Sequence, residues 1–444
     1  MPEAYRFSRR IEVRHNVDVF VAGGGPSGIA AAVTAARQGR RVFLAEGQSC
    51  FGGSGTAGML PIFMSFEDSV NFYADGFGRE VLDRLRDARG TWPAPDTKEV
   101  CYKGEVLKRV YDRLTEDSGV QISLCTTLVA VDAGDGKVRA AICWGKSGLF
   151  AVKARVFVDC TGDGDLCAWA GAPYAKGDAR GRMMPGTLCS FWTNVDWKKT
   201  ESAGTSAWKQ EQFLPRAFKD KVFTVEDHHL PGMLPVGESN GGGNIGHTFG
   251  VDGTDERSLT NAHVSARGAL VEYQRFYREY LKGYERTEMS VSASLMGVRE
   301  SRRITGDYIL ARKDYERRAS FPDEIGRYNY WIDLHCFTPS KKEFEIHLRR
   351  HRATPYKAGE SYGIPYRCLT PRGFRNLLVA GRCVSTDRWL QSSIRVMPGC
   401  FITGQAAGMA AAIAAERKTH VRGFPVKELQ GRLRRMGAFL PASS

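Results

Sequence analysis

The stretch VDVFVAGGGPSGIAAAVTAARQGRRVFLAEG, residues 17–47, constrains the fold more than any other part of the chain. It opens with an apolar, β-branched run bounded by glycine, which is typical of a buried parallel strand. Gly23, Gly25 and Gly28 follow in the spacing G-x-G-x-x-G, and an alanine-rich helical run leads to a second apolar run that ends at Glu46. Strand, glycines, helix, strand and acid in this order predict a βαβ unit that binds a dinucleotide.

Each residue type in this unit has a separate physical reason. Gly23 permits the tight turn after the strand, Gly25 lets the backbone approach a pyrophosphate, and Gly28 lets the helix pack closely on the strand. The helix N-terminus supplies free N–H groups and partial positive charge for phosphates. The carboxylate of Glu46 can accept hydrogen bonds from a ribose and disfavours a 2′-phosphate, so the pattern favours FAD or NAD over NADP.

Three later segments favour FAD over NAD. Residues 49–60, SCFGGSGTAGML, form a glycine-rich loop where an NAD domain would continue into a helix and a third strand, although a plain flexible loop is the alternative. Residues 154–172 run from a buried strand through TGDGD into a helix. Residues 376–415 contain a buried strand and a small-residue helix, predicted to begin near Gly404, whose N-terminus can stabilise the negative charge of a reduced flavin.

On these segments the chain resembles the FAD-dependent oxidoreductases of the glutathione-reductase-like superfamily. More narrowly, it is similar to the bacterial FAD-dependent oxidoreductase family related to fumarate reductase flavoproteins and to the flavin domain of heterodisulfide reductases. Further matching pieces are GVRESRRITGDYIL (297–310), IPYRCL (364–369) and SIRVMPGCFITGQAAG (393–408). The pieces span nearly the whole chain, so the resemblance is specific for fold and cofactor and much less so for substrate.

The resemblance implies an α/β fold, a Rossmann-like FAD-binding domain (βαβ, parallel sheet) with an inserted mixed α+β substrate or cap domain. We predict that residues 1–171 and 359–444 form the two parts of the FAD-binding domain and that residues 172–358 form the inserted domain. That middle region contains one strong helix pattern, residues 260–283, with Thr260 as its N-cap and an apolar stripe typical of core packing.

The resemblance also implies where FAD is held, without a covalent bond; attachment through Cys50 is the less favoured alternative. By this resemblance the ADP half contacts Gly23, Gly25, Gly28 and Glu46, and the adenine lies against Val129. The flavin side is lined by Gly53, Ser54 and Thr56, and the diphosphate and ribityl chain are flanked by Thr161, Gly162, Gly381 and Arg382. The isoalloxazine ring faces Gly404, Gln405, Ala406 and Ala407.

Flavin chemistry needs few protein groups, chiefly one that holds the substrate and one that moves a proton. Arginine suits carboxylate or phosphate recognition, and histidine suits proton transfer near neutral pH. The catalytic candidates are Arg299, Arg302, His335 and Arg395. Two alternatives stay open: the arginines of 299–303 can form ion pairs with Glu300 and Asp307, and His335 can be a core histidine. His247, in a glycine-rich loop, is a weaker candidate.

Composition narrows the class of protein. The eleven cysteines form no C-x-x-C pair and no Cys/His metal spacing, so we expect no metal, reduced thiols and a cytoplasmic location. Residues 1–15 lack the apolar core of a secretory signal, and residues 399–415 are short for a membrane span and contain Gln405, which favours a buried core helix. The net charge of +14 is spread along the chain, which favours a solvated arginine-rich surface over a nucleic-acid site.

Together these features predict an FAD enzyme that transfers a hydride between flavin N5 and a small polar organic substrate, hydroxylated, sugar-like or carboxylated. No second G-x-G-x-x-G follows a strand in the middle region, and no paired redox cysteines are present. Direction, the electron partner (O₂, a quinone, NAD(P) or a protein) and homo-oligomer formation stay open. The alternatives are a flavoprotein that acts on RNA, with binding that falls steeply with salt, and an FAD-binding electron-transfer component of a larger complex.

Overall fold

A computed structural model describes Tyr5 and residues 7–93, 98–353 and 355–441. In chain order, its strands are β1 Glu12–Ala22, β2 Val42–Ala45, β3 Ile62–Phe63, β4 Thr91–Pro93, β5 Val100–Tyr102, β6 Gln121–Ser123, β7 Thr127–Gly134, β8 Lys137–Gly145, β9 Gly148–Asp159, β10 Tyr174–Lys176, β11 Ser190–Thr193, β12 Gly232–Pro235, β13 Gly241–Asn244, β14 Glu288–Ser292, β15 Arg302–Ile304, β16 Glu324–Tyr328, β17 Tyr362–Pro365 and β18 Leu377–Val379. Its α-helices are α1 Pro26–Arg37, α2 Phe77–Asp87, α3 Gly104–Asp117, α4 Asp165–Trp169, α5 Trp197–Ser202, α6 Leu214–Lys219, α7 Glu256–Tyr280, α8 Arg312–Glu316, α9 Lys341–Ala353, α10 Arg388–Ile394, α11 Met397–Glu416 and α12 Val426–Arg435.

A seven-stranded sheet lies at the centre of the molecule, in the order β6-β2-β1-β9-β8-β7, with β18 beside the end of β9. Strands β6, β2, β1, β9 and β18 are parallel, whereas β7 and β8 join as an antiparallel hairpin. The apolar run of the opening stretch forms the buried end of β1, pairing Val19 with both Val42 and Val156. The predicted βαβ unit is therefore β1-α1-β2.

Helices α1 and α11 pack against each other on one face of this sheet because their contact residues are small. A Cβ at Gly404 would overlap the backbone of Ser27, and one at Gly408 would overlap the backbone of Ala31. Among the described helices, α11 is long and apolar enough to cross a membrane, but it is completely buried. The prediction of a buried core helix is confirmed.

The middle of the chain builds a second antiparallel sheet, in the order β12-β13-β11-β14. Helix α7 covers it with a cluster that includes Leu270, Tyr273 and Tyr277, the predicted apolar stripe. The N-cap lies five residues earlier than predicted, since the Asp255 carboxylate accepts a hydrogen bond from the Ser258 N–H and caps the helix. The prediction of Thr260 as the N-cap is wrong, because its hydroxyl donates to the Glu256 carbonyl inside the first turn.

Three smaller sheets complete the fold: β3-β5-β4, β10-β15 and β16-β17. A mostly parallel central sheet with helices, joined to additional antiparallel sheets, confirms the predicted α/β class with a Rossmann-like fold. Apolar residues between 310 and 369 join the cluster around α11 rather than the cluster under α7. The predicted boundaries of the inserted domain stay a prediction.

Candidate active site

A cavity of about 900 Å³ opens at the carboxyl ends of β1, β2 and β9. Ligands of open α/β sheets bind at this edge, because the loops that leave parallel strands converge there. One end of the cavity is lined by the glycine turn and Glu46, and the other by arginine, histidine and acidic side chains. We call these the dinucleotide end and the polar end.

The glycine turn has the shape that a pyrophosphate needs. Gly23 has a φ of +91°, and a Cβ there would lie 2.6 Å from the Cys160 carbonyl oxygen. A Cβ at Gly28 would overlap the Gly23 carbonyl oxygen, whereas one at Gly25 would meet no atom within 4 Å. Gly25 therefore faces open space at the start of α1, whose first N–H groups have no side-chain cap. Backbone N–H groups beside open space fit a dinucleotide diphosphate.

Glu46 lies where a ribose would, at the end of β2. Its carboxylate is buried and accepts hydrogen bonds from the N–H groups of Gly24 (2.6 Å) and Gln48 (2.7 Å). Burial raises the pKa of this carboxyl. The adjacent cavity wall is formed by residues 126–128. Val129, predicted beside adenine, is 42% exposed and does not line the cavity.

The glycine-rich loop folds back onto the dinucleotide turn, and the Gly52 N–H donates to the Gly24 carbonyl at 2.8 Å. Gly53 and Ser54 line the cavity as predicted. Thr56 does not, because its buried hydroxyl donates to the Phe51 carbonyl at 2.6 Å and fixes the loop from within. The loop is thus an ordered wall of the site.

The loop after β9 supplies Thr161 and Gly162 to the cavity wall. Arg382 joins them; its guanidinium donates to Asp163 at 2.8 Å and to Ser301 at 2.9 Å. Gly381 is set back from the cavity, and a Cβ there would lie 2.5 Å from the Ser27 hydroxyl oxygen. Sequence reasoning missed the residue that shapes this loop: buried Asp159, which accepts hydrogen bonds from the Thr161 and Cys167 N–H groups.

The residues predicted to face the isoalloxazine, Gly404, Gln405, Ala406 and Ala407, do not line the cavity. The cavity instead touches Val396, Met397 and Cys400. Helix α11 begins at Met397, with extended backbone at Val396 and a proline in the first turn, so its N-terminus lies two turns earlier than expected. Residue 404 packs on α1, and the side chain of residue 405 bonds to the backbone of residues 75 and 77.

At the polar end, three of the four catalytic candidates line the cavity: Arg299, His335 and Arg395. Arg299 is buried and donates to the Thr187 hydroxyl at 2.8 Å. Burial and the charge of Arg395 lower the pKa of Arg299 to about 10. Arg395 forms a 2.6 Å ion pair with Asp333, whose other oxygen lies 3.1 Å from His335 Nε2.

Arg302 does not line the cavity, because it forms a 2.6 Å ion pair with Asp165. Buried Glu300 pairs with Arg303 at 2.7 Å and with Arg388 at 2.6 Å. The predicted ion pair with Glu300 therefore holds for Arg303, whereas Arg302 pairs with Asp165, and Asp307 pairs with Arg422 instead. It does not hold for Arg299, whose hydrogen bonds go to residues 185 and 187.

Sequence reasoning missed two further groups at the polar end. Glu99 lines the cavity, and burial together with the charge of Asp333 raises its pKa to about 7. His229 comes within 4.8 Å of His247 and His335, measured between ring nitrogens. No local motif marks these groups, since their partners are distant in sequence.

The glycine turn, the acid after β2, the folded-back loop and the polar end in one cavity define a dinucleotide-binding flavoprotein. The sequence model of the family described as "FAD dependent oxidoreductase" matches residues 18–433, and the chain belongs to this family. The predicted family resemblance is confirmed. The cofactor is FAD, and the protein is an FAD-dependent enzyme.

Three of the solved structures with similar folds illustrate this likeness. A geranylgeranyl bacteriochlorophyll reductase-like protein from Thermoplasma acidophilum shares 13% identity, with a TM-score of 0.46 over 96% of this chain and 84% of that one. A flavin-dependent brominase shares 12% identity, with a TM-score of 0.46 over 95% of this chain and 83% of that one. A p-nitrophenol 4-monooxygenase from Pseudomonas putida shares 13% identity, with a TM-score of 0.45 over 94% of this chain and 83% of that one. No curated protein matches the chain.

Proposed function

We propose that the protein transfers a hydride between N5 of FAD and a small polar substrate bound at the polar end of the cavity. The observation that carries this proposal is the continuity of one cavity from the glycine turn to Arg299, Arg395 and His335. A cofactor that starts at Gly25 and extends through the cavity brings its reactive ring toward these side chains.

On the cofactor side, the residues that hold FAD are those with backbone or polar atoms on the cavity wall. The free N–H groups at the start of α1 bind the diphosphate, and Glu46 binds the ribose. The N-terminus of α11, at Met397, supports negative charge on the reduced ring. We further propose that residues 172–358 form the domain that encloses the substrate.

On the substrate side, the arginines bind and orient. FAD supplies the hydride acceptor or donor. Arg299 is fixed by Thr187, so its planar guanidinium is positioned to bind a carboxylate or hydroxyl oxygen. Arg395, held by Asp333, adds a second donor. His335 completes the same wall. A carboxylated or hydroxylated substrate fits this set of donors.

Glu99 moves the proton that accompanies the hydride. Its carboxyl lines the same cavity, and its pKa of about 7 makes both the acid and the carboxylate form available near neutral pH. In substrate oxidation the carboxylate accepts the proton, and in reduction the acid donates it.

The test is anaerobic mixing of FAD-loaded protein with a panel of polar alcohols and hydroxy acids, followed by absorbance at about 450 nm. We expect bleaching by at least one compound, and bleaching about 10–100-fold slower in Arg299→Lys with FAD content unchanged. Flavin that no compound of the panel reduces, and whose reduced form no matching carbonyl compound re-oxidises, would contradict the proposal.

Two further properties are proposed on narrower grounds. All eleven cysteines are free thiols in the structure, which supports a cytoplasmic location. Formation of a homo-oligomer is the second property, and sedimentation of the FAD-loaded protein measures the oligomeric state.

A further inference from the structure

Three histidines from distant segments meet at the polar end of the cavity. His229 precedes β12, His247 follows β13, and His335 lies between β16 and α9. One nitrogen of each ring lies within 4.8 Å of the others. We call His229, His247 and His335 the histidine cluster.

Two members of the cluster have a carboxylate behind the ring. His247 Nδ1 lies 3.2 Å from Asp227, and His335 Nε2 lies 3.1 Å from Asp333. An ionised carboxylate only accepts hydrogen bonds, so each of these ring nitrogens carries its proton. A neutral imidazole has one N–H. The opposite nitrogens, His247 Nε2 and His335 Nδ1, are therefore bare lone pairs.

These two bare nitrogens face each other at 2.9 Å. Two lone pairs at that distance repel unless a cation lies between them. A shared proton would satisfy two nitrogens, but His229, whose ring has no hydrogen bond to any described residue, brings a third nitrogen to the same place. Zinc–nitrogen bonds of about 2.0–2.1 Å at the tetrahedral angle place two ligand nitrogens about 3.3–3.4 Å apart, so these two nitrogens would need to separate by only about 0.4 Å to bind an ion.

We propose that the histidine cluster binds a divalent transition-metal ion of the zinc type. Three imidazole ligands suit zinc and its neighbours, whereas Mg²⁺ and Ca²⁺ require oxygen ligands. Three protein ligands leave a fourth position open, as in catalytic rather than structural zinc sites.

The surroundings of the cluster support this assignment. Metal-binding histidines usually donate their second N–H to a carboxylate, which fixes the tautomer and the ring orientation. Asp227 does this for His247 and also accepts hydrogen bonds from the backbone N–H groups of His229 (3.1 Å) and His247 (2.9 Å). Asp333 is itself held by Arg395.

In the proposed function, the metal site makes His335 a ligand of an ion that contacts the substrate. This assignment of a role to His335 rests on the proposed function. A hydroxyl or carbonyl oxygen of the substrate occupies the open position, where the ion polarises it. The substrate class is thereby narrowed to compounds whose reacting carbon carries an oxygen. Metal binding itself rests only on the cluster.

The test uses full-length, FAD-loaded protein purified without a metal-affinity step or chelator. Metal content is measured by mass spectrometry, and Co²⁺ titration is followed by its visible d–d absorption, so neither readout needs turnover. We expect about one ion per chain and a tetrahedral or five-coordinate Co²⁺ spectrum. His247→Gln and His335→Gln should lose both signals, and Asp227→Asn should bind about 10–100-fold more weakly. His263→Gln, on α7 outside the cluster, is the matched control.

Retained flavin absorbance shows that each variant is folded. A metal-free protein that takes up neither Zn²⁺ nor Co²⁺ would overturn the metal site, as would equal binding by His247→Gln, His335→Gln and the parent. Flavin bleaching by substrate without metal uptake would leave the proposed function standing and remove only the metal site. Metal uptake without flavin bleaching by any compound would leave the metal site standing and remove only the proposed function.

Discussion

The two ends of the cavity are built in different ways. The dinucleotide end comes mostly from one continuous stretch, β1-α1-β2, and presents backbone N–H groups beside the open space in front of Gly25. The polar end comes from the side chains of residues 99, 229, 299, 335 and 395, the last three of which are held by a hydroxyl or a carboxylate. A backbone site is thus encoded locally, whereas a side-chain site needs the whole tertiary fold.

The largest expected effect is at the dinucleotide end. In Gly28→Ala the added Cβ overlaps the Gly23 carbonyl oxygen, so the turn must open and the pyrophosphate site is lost. We expect protein without FAD, measured as the ratio of absorbance at about 450 nm to that at 280 nm. Gly268→Ala, in open space on α7, is the control and should be stabilised by about 0.5–1 kcal/mol. Full FAD content in Gly28→Ala would show that the turn tolerates a side chain.

This contrast explains how much can be predicted from the sequence. The strand, the glycines and Glu46 lie within thirty or so residues, and local spacing fixes their geometry. The sequence pattern misplaces the start of α11, because a helix that is apolar on all sides has no amphipathic pattern to mark its boundaries. It misplaces Val129 by one residue, because the cavity wall on β7 ends at Leu128 and no sequence pattern marks that limit.

The polar end is predictable only in part. Residue type alone singles out His335, Arg299 and Arg395, all of which line the cavity. Arg302 has the same residue type but forms an ion pair with Asp165, and no sequence pattern separates the two cases. Glu99 and His229 become candidates only when the fold brings distant segments together.

The next largest effect is expected from Glu99→Gln. A proton acceptor or donor contributes about 10²–10⁴-fold to the rate, and the amide can do neither. Because the pKa of Glu99 is raised to about 7, substrate oxidation should rise as pH increases through 7, and substrate reduction should fall. The rate of flavin bleaching from pH 6 to 8 measures this. A wild-type rate that is flat across this range, or a step that survives in Glu99→Gln, would remove Glu99 from the reaction.

Arginine substitutions compare a cavity arginine with a structural one. Arg299→Lys replaces a planar fork by a single ammonium and should slow bleaching about 10–100-fold, the loss of a charged hydrogen bond of about 1.5–3 kcal/mol. Arg302→Lys keeps a cation beside Asp165 and should change bleaching less than about threefold. Equal effects of the two substitutions would show that the placement of Arg299 on the cavity has no bearing on the reaction.

Gly404→Ala distinguishes helix packing from flavin contact. The added Cβ overlaps the Ser27 backbone, so α1 and α11 must separate, at a cost of about 1–3 kcal/mol typical of overpacking. Thermal unfolding of the FAD-loaded protein should shift to lower temperature, while the shape and position of the flavin absorption band stay the same. A shifted band with unchanged stability would return residue 404 to the flavin and contradict its place between the helices.

The smallest effect is expected from Cys50→Ser. Cys50 is half-buried beside Thr56, with its sulfur 3.8 Å from the Thr56 hydroxyl, and it does not line the cavity. A side chain outside the cavity wall cannot reach the flavin ring without rearrangement of the glycine loop, whose Gly52 N–H is bonded to Gly24. We therefore expect unchanged FAD content, and in the parent protein we expect the yellow colour to stay in the supernatant after acid precipitation. Colour that remains in the pellet of the parent but not of Cys50→Ser would establish a covalent bond and show that the loop moves when FAD binds.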